Sequence, residues 1–509
     1  MSTRKPPNPV EQWRSGWRTD VLKVRSGCLF EAPTMQPVDQ KLRCSLRTAE
    51  EAECVDEVEL ELARSRWDAA NKWWDEVCGK PKWVLAPMVA QSEVCFRLLC
   101  RCEGVGLCYT PMYLADRVNL GVHDIELGIP RVTLNGTADP PLHSGPNNDP
   151  LPLDRPLVCQ LAGNDCAAIV RAGLRVQGAV DAIDLNFGCP QICAENAMIG
   201  AYLLENKPEI ALNIVTELAR ALSIPVLVKM RIQPGGMEPT VRLARRLQWA
   251  GASVVTLHGR LRWQREHEGP ADWTVIREVK AALHVPVIAN GSVQCLADAQ
   301  SCLACTGVDA VMSGTGLLRH PTLFSDPTLG SPTAASTSER CVSRHAAYKA
   351  ILNCYSYLNI VERCSARAGT CVTDGVEAAA ANGRSGGEVV GMHLMAMLQV
   401  HVMDTHRQLC ARLVSRSQSS AAQLRVTLGL IADQLLGERV GGVDTETGVK
   451  VSPGTHGKCG MCGIKEPVSV PVSVSVSVTA VVESDSSTSN EGEGQASCLL
   501  CRFRYGIGG

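Results

Sequence analysis

The chain has 509 residues, of which 45% are hydrophobic and 20% are charged, and its formal net charge is −2. This length allows two or three domains with at least one large core, and the composition fits a soluble protein. No apolar run of about 18 residues is free of charge and no apolar segment follows the N-terminal charges, which argues against a membrane span or a secretory signal. We therefore expect an intracellular protein, cytoplasmic or nuclear, without membrane contact, in which most of the 24 cysteines are reduced core residues. The sequence does not indicate an oligomeric state.

The N-terminal region divides into two parts. Residues 1–47 contain Pro, Arg and Ser without periodicity and are interpreted as a flexible arm. Residues 48–82 are predicted to form a helical lead-in, acidic in its first half and rich in tryptophan in its second half, at Trp67, Trp73 and Trp74. The tryptophans favour a stripe that docks this helix on the next domain.

Residues 83–325 alternate between short apolar runs and amphipathic segments. The eight runs are Trp83–Val89, Leu107–Met112, Leu157–Ala162, Ala182–Phe187, Pro225–Ile232, Ser253–His258, Pro286–Ala289 and Ala310–Met312. Eight alternations over about 235 residues match an α/β fold of the (β/α)8 TIM-barrel type in number and size. A doubly wound sheet is the alternative, but the glycine-rich turn of a dinucleotide site does not follow the first run. The gap at 113–156 lacks a clear helix and is interpreted as an insertion over one barrel end.

Three regions follow the barrel. A Ser/Thr/Pro-rich linker at Ser325–Thr337 leads to residues 338–437, where the apolar spacing predicts a small helical domain. Residues 438–509 carry Ser-Val repeats and a Ser/Glu-rich run, a composition that cannot build a core. We expect this low-complexity C-terminal tail to be largely disordered.

One cysteine stands at the end of the fourth run. Ala182–Phe187 has the composition of a buried strand, and Gly188, Cys189 and Pro190 turn the chain where it stops. Cys189 is therefore predicted to lie at the C-terminal end of a strand, the edge at which barrel enzymes carry out chemistry. The alternative is a buried cysteine that acts only as a small hydrophobic side chain.

Other polar residues occupy matching positions on their runs. They are Gln160, Asn186, Lys229, Arg231, His258, Arg260, Asn290, Gly314 and Gly316. In a barrel all of them converge on one opening. A lysine inside the apolar run at 225–232 is costly unless it meets an anion or hydrogen-bond acceptors. The glycine turns after the seventh and eighth runs are a usual site for a phosphate group.

At this point the residues resemble a known family, the flavin-dependent tRNA dihydrouridine synthases, and within it the eukaryotic group that acts on D-loop positions 16 and 17. The motifs are Ala86-Pro87-Met88-Val89, Gln91-Ser92-Glu93, Cys108-Tyr109-Thr110-Pro111-Met112, Asp184-Leu185-Asn186-Phe187-Gly188-Cys189-Pro190-Gln191, Val228-Lys229-Met230-Arg231, Leu257-His258-Gly259-Arg260, Ala289-Asn290-Gly291-Ser292 and Val311-Met312-Ser313-Gly314. The resemblance covers roughly residues 67–325 well and 338–437 loosely, and the arm and the tail lie outside it.

The resemblance implies an FMN-binding barrel, a helical tRNA-binding domain and a set of site residues. FMN would be bound by Pro87, Met88, Val89, Gln160, Lys229, His258, Asn290, Gly291, Ser292, Gly314 and Thr315. Asn186, Arg231 and Arg260 would contact the tRNA substrate. NADPH would reduce the flavin, which would pass a hydride from N5 to C6 of uracil while Cys189 gives a proton to C5. The implied enzyme is a tRNA-dihydrouridine synthase, an NAD(P)+ oxidoreductase that makes 5,6-dihydrouridine in the D-loop.

One loop departs from the family. At residues 192–199 basic side chains are replaced by Glu195, Asn196 and Met198, and a second thiol, Cys193, follows Cys189. This leaves open whether the loop preserves activity. In favour of RNA contact, residues 229–280 carry ten Lys or Arg against five Asp or Glu. The alternatives are an FMN barrel acting on a free pyrimidine or small enone, and an RNA-binding barrel without turnover.

The tail contains two Cys-x2-Cys pairs. Cys459 and Cys462 form the first pair, and Cys498 and Cys501 form the second. Two such pairs are typical of a tetrahedral zinc site, although the polar low-complexity segment between them is longer than in compact zinc ribbons. Free tail cysteines are the alternative.

Overall fold

The computed structural model describes residues 57–89, 91–120, 153–327, 349–362, 390 and 392–398, together with positions 424, 428, 429 and 431. Its centre is a closed barrel of eight parallel strands that pair in sequence order, β1 closing on β8. The strands are β1 Trp83–Leu85, β2 Leu107–Leu114, β3 Leu157–Ala162, β4 Ala182–Phe187, β5 Val226–Ile232, β6 Val254–Leu261, β7 Val287–Asn290 and β8 Ala310–Ser313. The closure confirms the predicted TIM barrel and excludes the doubly wound alternative.

Helices surround the barrel and precede it. They are α1 Glu57–Glu76, α2 Val94–Cys102, α3 Ala115–Asn119, α4 Cys166–Val176, α5 Ile192–Asn196, α6 Ala201–Asn206, α7 Pro208–Ala221, α8 Met237–Ala250, α9 Trp273–Ala282, α10 Leu296–Thr306 and α11 Thr315–Arg319. Acidic side chains cap three of the predicted helices: Glu93 caps α2, Asp165 caps α4 and Asp272 caps α9. Each carboxylate accepts backbone N–H groups that the first helical turn leaves unpaired.

The first strand is shorter than the apolar run that predicts it. It ends at Leu85 instead of Val89, because Pro87 has no N–H for a sheet ladder. The N–H of Met88 instead donates to the Ser92 hydroxyl at 3.0 Å, which turns the chain toward α2. The Pro-Met segment is therefore a loop at the C-terminal end of β1.

Two strands extend by two or more residues beyond their predicted ends. β2 continues to Leu114 after a register shift between Tyr109 and Met112, and the short α3 follows in the gap that lacks a clear helix pattern. β6 continues to Leu261, which pairs with Ile232 after a second irregularity. Arg260 therefore lies inside a strand, which the sequence alone did not indicate.

Helix α1 docks through its tryptophans, as predicted. Trp67, Trp73 and Trp74 are all buried. Trp67 stacks on His284 with ring centroids 4.4 Å apart and meets Trp249 edge-on at 5.3 Å. Because these partners precede β7 and end α8, α1 packs on the side of the barrel opposite the C-terminal strand ends.

Helical segments at 349–362 and 392–398 join the same hydrophobic core as the barrel. Tyr357, Leu358 and Leu394 are fully buried there. The arm at 1–47, most of the linker, the remainder of 338–437, residues 121–152 and the tail at 438–509 lie outside the described residues. Within the described ranges, no helix combines the length and apolarity needed to cross a bilayer.

Candidate active site

The C-terminal ends of the eight strands form one opening, which we call the mouth. Cys189 lies there in the turn that follows β4. The Asn186 side-chain oxygen accepts the backbone N–H groups of Gly188 at 3.0 Å and of Cys189 at 2.9 Å. Behind the turn, a Cβ on Gly200 would come within 2.9 Å of the Cys189 Cβ, and the φ of Gly200 is +63°. Only glycine fits that close approach, so the backbone that presents the thiol is held from both sides.

The Cys189 thiol is partly exposed and packs beside Ala162, Ile199 and Tyr202. Burial raises the pKa of this thiol, and the backbone N–H of Gln191 offsets only part of the rise. The thiol is therefore protonated at neutral pH. A protonated thiol at the mouth can give a proton, whereas a nucleophilic cysteine needs the opposite pKa shift.

Beneath the turn, Gln160, Asp184 and Asn186 form a hydrogen-bonded row across β3 and β4. The Gln160 amide nitrogen donates to Asp184 Oδ2 at 2.7 Å, and the Asn186 amide nitrogen donates to Gln160 Oε1 at 2.9 Å. Burial raises the pKa of Asp184 to about 7, while the Gln160 hydrogen bond and the charge of Lys229 oppose the rise. Asp184 begins the motif that ends at Gln191, but the sequence did not predict it as a site residue.

Lys229 lies on β5 in register with Asn186. Burial and the nearby Arg231 lower the pKa of Lys229 to about 8, and the charge of Asp184 works in the other direction. The ammonium makes no hydrogen bond within the described ranges. A partly buried cation without an acceptor is costly, so this position is suited to a ligand that supplies one.

His258 on β6 completes this side of the mouth. Burial lowers the pKa of His258 well below its ordinary range, and the charges of Arg231, Lys229 and Arg260 lower it further. The imidazole is therefore neutral. Its Nδ1 atom is buried without a hydrogen-bond partner in the described structure. Lys229 and His258 thus lie near the C-terminal ends of the neighbouring strands β5 and β6.

The two predicted substrate arginines brace the loops of the mouth. Arg231 donates from Nε to the carbonyl oxygen of Gly188 at 2.9 Å and from a terminal nitrogen to that of Leu261 at 3.2 Å. Arg260 donates to the carbonyl oxygen of Gly269 at 3.0 Å and to the Ser292 hydroxyl at 3.0 Å. Each guanidinium retains N–H groups beyond these contacts, so bracing and ligand contact are compatible.

The turn after β7 has a strained backbone. Gly291 has a φ of +111°, and Ser292 has a φ of 59°. The Ser292 hydroxyl accepts the backbone N–H of Ala271 at 2.7 Å, and the Trp273 indole donates to the carbonyl oxygen of Gly291 at 3.2 Å. A non-glycine residue at positive φ persists only where its surroundings hold it, and these two bonds do so.

The turns after β7 and β8 lie side by side. The Asn290 amide donates to the Met312 carbonyl oxygen at 3.0 Å and ties the two strand ends together. A Cβ on Gly314 would lie 3.2 Å from the Met88 sulfur, so the loop after β1 closes directly over this turn. Thr315 begins α11, and Val89 is 44% exposed beside the opening. The predicted cofactor residues of the loops after β1, β7 and β8 thus adjoin one another at the mouth.

Half of the ten basic residues predicted to form a basic surface at 229–280 are paired with acidic side chains. The pairs are Arg242 with Glu238, Arg246 with Glu209 at 2.6 Å, Arg262 with Glu205 at 2.8 Å, Arg277 with Glu278 at 3.1 Å and Lys280 with Asp309 at 2.6 Å. Beside them Trp263 is 53% exposed, and the Arg262 guanidinium lies 4.1 Å from the Tyr202 ring centroid. The region therefore carries less free positive charge than its sequence predicts. The reason is that some of the acidic partners lie outside residues 229–280.

The described residues contain no candidate zinc site. Groups of three or more His, Cys, Asp or Glu side chains that could hold a metal ion do not occur within the described ranges. The four tail cysteines, Cys459, Cys462, Cys498 and Cys501, lie outside those ranges.

Comparison with known proteins agrees with this arrangement. Residues 84–363, more than half of the chain, match the model of the family described as dihydrouridine synthase (Dus). The tRNA-dihydrouridine(16/17) synthase-like protein of Mus musculus is 39% identical over 254 residues, which cover 50% of this chain and 50% of that protein. The tRNA-dihydrouridine(16/17) synthase of Schizosaccharomyces pombe is 36% identical over 252 residues, covering 49% of this chain and 58% of that protein.

A second kind of relative matches over a larger share of its length. The tRNA-dihydrouridine(20a/20b) synthase-like protein of Mus musculus is 33% identical over 245 residues, which cover 48% of this chain and 68% of that protein. The chain spans about half the length of the 16/17 relatives that it matches. The family match runs from β1 to the helical segment at 349–362 and includes every residue of the mouth described above. The chain therefore belongs to the dihydrouridine synthase family.

Proposed function

We propose that this chain is an FMN-dependent oxidoreductase that reduces uridine to 5,6-dihydrouridine in the D-loop of tRNA, with NADPH as the reductant. One observation carries the proposal: a protonated thiol, Cys189, is fixed by Asn186 at the mouth, where Lys229 pairs in register with Asn186 and the buried His258 Nδ1 has no hydrogen-bond partner in the described structure. The names of the 16/17 relatives, which include NAD(P)+, support tRNA and a nicotinamide reductant.

The chain's own residues fit an isoalloxazine ring. The His258 Nδ1 atom lacks a partner in the described structure, Lys229 adds a positive charge on the neighbouring strand, and the Gln160 amide keeps one N–H beyond its bond to Asp184. Pro87, Met88 and Val89 would border the ring from the loop after β1. When bound and reduced, FMN would supply a hydride to C6 of uracil.

The phosphate of the cofactor would fit the turns after β7 and β8. Gly291, Ser292, Gly314 and Thr315 form two adjoining turns, and Asn290 ties those turns together. Arg260 adds a positive charge behind the first turn. Backbone N–H groups in glycine turns next to a cation bind phosphate in many barrels.

Cys189 would give the proton that C5 of uracil needs. Its raised pKa keeps the proton on the thiol at neutral pH, and its backbone is clamped by Asn186 and Gly200. The remaining N–H groups of Arg231 would orient a uracil carbonyl group, while Asn186 would hold the thiol turn in place. A positioned general acid of this kind contributes about 10²–10⁴-fold to rate.

Contact with tRNA would use an exposed aromatic group beside the mouth. Trp263 is 53% exposed, its neighbour Arg262 lies over the Tyr202 ring, and the Tyr202 hydroxyl donates to the Pro190 carbonyl oxygen at 3.4 Å. The surface therefore continues into the Cys189 turn. Sequence-specific RNA recognition commonly stacks unpaired bases on such aromatic faces.

One observation also supports a second function, the reduction of a small-molecule substrate. Because five of the ten basic residues of the region pair with carboxylates, a small enone or a free pyrimidine is also compatible with the same mouth as a substrate. The test is to incubate the purified chain with FMN and NADPH, and with either tRNA lacking D-loop modifications or free uridine. We expect dihydrouridine, detected by mass spectrometry of nucleosides, only from tRNA. Product from free uridine alone would favour the small-molecule substrate, and no product with bound flavin would favour an RNA-binding barrel without turnover.

A further inference from the structure

We infer that Asp184 is a positioning residue for Cys189, acting through a one-directional hydrogen-bond relay that runs from Asp184 through Gln160 and Asn186 to the Cys189 backbone. The inference gives a role to a buried acid that the proposed reaction does not use, and its link to proton transfer rests on the proposed function. The relay itself does not depend on the proposed function.

The direction of the relay follows from which atoms can donate. Asp184 Oδ2 accepts one N–H of Gln160 at 2.7 Å, which turns the Gln160 oxygen toward Asn186. That oxygen accepts an N–H of Asn186 at 2.9 Å, which turns the Asn186 oxygen toward the thiol turn. A side-chain amide has its oxygen and nitrogen on opposite sides, so fixing one end fixes the other.

The last link reaches the backbone of the thiol. Asn186 Oδ1 accepts the N–H groups of Gly188 at 3.0 Å and Cys189 at 2.9 Å. If the Asn186 amide rotated by half a turn, its NH2 group would face these two N–H groups and both would lose their acceptor. Asp184 Oδ2 at the start of the relay opposes this rotation, because it is the acceptor that holds the Gln160 amide nitrogen on its side.

Burial gives the relay its strength. Asp184 is fully buried and Gln160 is 1% exposed, so water cannot replace a lost hydrogen bond. The second Asp184 oxygen is buried without a partner in the described structure. A carboxylate kept in this position for packing alone would be replaceable by an apolar group, whereas a relay needs an acceptor there.

The test moves the carboxylate by one position along the relay. Asp184→Asn alone removes the fixed acceptor, and Gln160→Glu alone sets two acceptors against each other. In the double variant the amide introduced at position 184 can donate to the carboxylate introduced at position 160. That carboxylate can still accept from Asn186, so the direction at the thiol is restored. The readout is the rate at which iodoacetamide alkylates Cys189, measured on its peptide by mass spectrometry, because this rate requires no turnover.

We expect each single variant to raise the Cys189 alkylation rate about tenfold, from loss of one buried charged hydrogen bond, and the double variant to return it to within about threefold of the wild type. Asp181→Asn is the matched control, since Asp181 is a buried carboxylate directly before the same strand and bonds to the Leu157 N–H at 2.7 Å, away from the mouth. It should leave the rate unchanged. Rate changes that multiply in the double variant, without rescue, would overturn the inference.

Two further outcomes are informative. If Gln160→Glu does not fold, Asp184→Leu decides alone: the apolar side chain keeps the volume but offers no acceptor, and an unchanged Cys189 rate would overturn the relay. If the double variant rescues the alkylation rate but wild-type protein forms no dihydrouridine, the relay stands and the proposed function fails.

Discussion

Glu93 Oε2 and His393 Nε2 lie 3.0 Å apart in a fully buried contact between residues that are 300 positions apart. The other Glu93 oxygen accepts the Tyr357 hydroxyl at 2.7 Å and the Phe96 N–H at 3.0 Å, and the His393 ring stacks on Phe96 at 4.6 Å. Glu93 therefore caps α2 and at the same time ties the helical segments at 349–362 and 392–398 to the barrel, directly after the loop that is proposed to border the cofactor.

The first prediction concerns this contact. Glu93→Gln should destabilise the chain by about 1–3 kcal/mol, because it removes a buried carboxylate that accepts from the Tyr357 hydroxyl and meets the His393 ring. The measurement is the free energy of unfolding in urea. Glu217→Gln is the control: it removes a half-exposed pair with Arg220 at 2.8 Å and should cost no more than about 1 kcal/mol. A similar loss for both variants would show that the Glu93 contact is not special.

The second prediction is the pH dependence of the same contact. Burial alone would raise the pKa of Glu93, but the charge of His393 and the hydrogen bonds from His393 and Tyr357 bring it below the ordinary value. A carboxylate with a lowered folded-state pKa stabilises the fold above its unfolded pKa, and this contribution is lost as the pH falls through the folded value. The stability difference between wild type and Glu93→Gln should therefore shrink on acidification. If the difference stays constant while the pH falls below the ordinary pKa of a glutamate, the contact is contradicted.

The barrel could be predicted from the sequence, whereas this contact could not. Alternating apolar runs report strands because each strand carries its own local pattern, and the predicted bounds of β3 and β4 agree with the structure. Glu93 and His393 have no local pattern that relates them, since their proximity depends on how helices pack after the barrel closes.

The site shows the same division between local and long-range information. Cys189 was predicted from its own strand, because a strand end in a barrel has a known location. Asp184 was missed, because its importance depends on the register that sets it beside Gln160, and register between strands is not written in either segment. Arg231 and Arg260 were predicted as substrate contacts, but the bracing roles they have here depend on carbonyl groups of distant loops.

The third prediction tests the proton donor. Cys189→Ala should retain flavin and tRNA binding but lose about 10²–10⁴-fold of the rate of dihydrouridine formation. Cys193→Ala is the matched control, since Cys193 is an exposed thiol four residues away that donates to the Gln191 side chain at 3.5 Å. It should keep activity within a few-fold of the wild type. If the two variants lose activity equally, the proton does not come from Cys189 alone.

The fourth prediction concerns Lys229 and FMN. Lys229→Met should raise the Kd for FMN by at least about tenfold, because a charge-assisted hydrogen bond of about 1.5–3 kcal/mol is removed. Lys72→Met, an exposed lysine on α1, should leave the Kd unchanged. In the free protein the pKa of Lys229 is about 8, so FMN affinity of the wild type should fall as the pH rises above that value. Titration of the flavin absorbance measures both effects, and equal affinity of wild type and Lys229→Met would remove Lys229 from the cofactor site.

The last prediction concerns tRNA. Trp263 exposes 53% of its surface beside Arg262, and the Arg262 guanidinium is held over the Tyr202 ring at 4.1 Å and against Glu205 at 2.8 Å. An exposed indole at the end of such a rigid series is available to a base, and removal of a stacking aromatic group costs about 1–3 kcal/mol. Trp263→Ala should therefore raise the Kd for tRNA by roughly 5- to 150-fold, with little change in FMN binding.

The control for Trp263 is Leu174→Ala, which removes a 44% exposed apolar side chain from α4 on the outside of the barrel. Its Kd for tRNA should equal that of the wild type. Because stacking involves no phosphate, Trp263→Ala should lower affinity without changing the slope of log Kd against log salt concentration, whereas Arg265→Ala should reduce that slope by about one if Arg265 contacts a phosphate. A Trp263→Ala variant that binds tRNA as tightly as the wild type would show that the RNA crosses the mouth along another side.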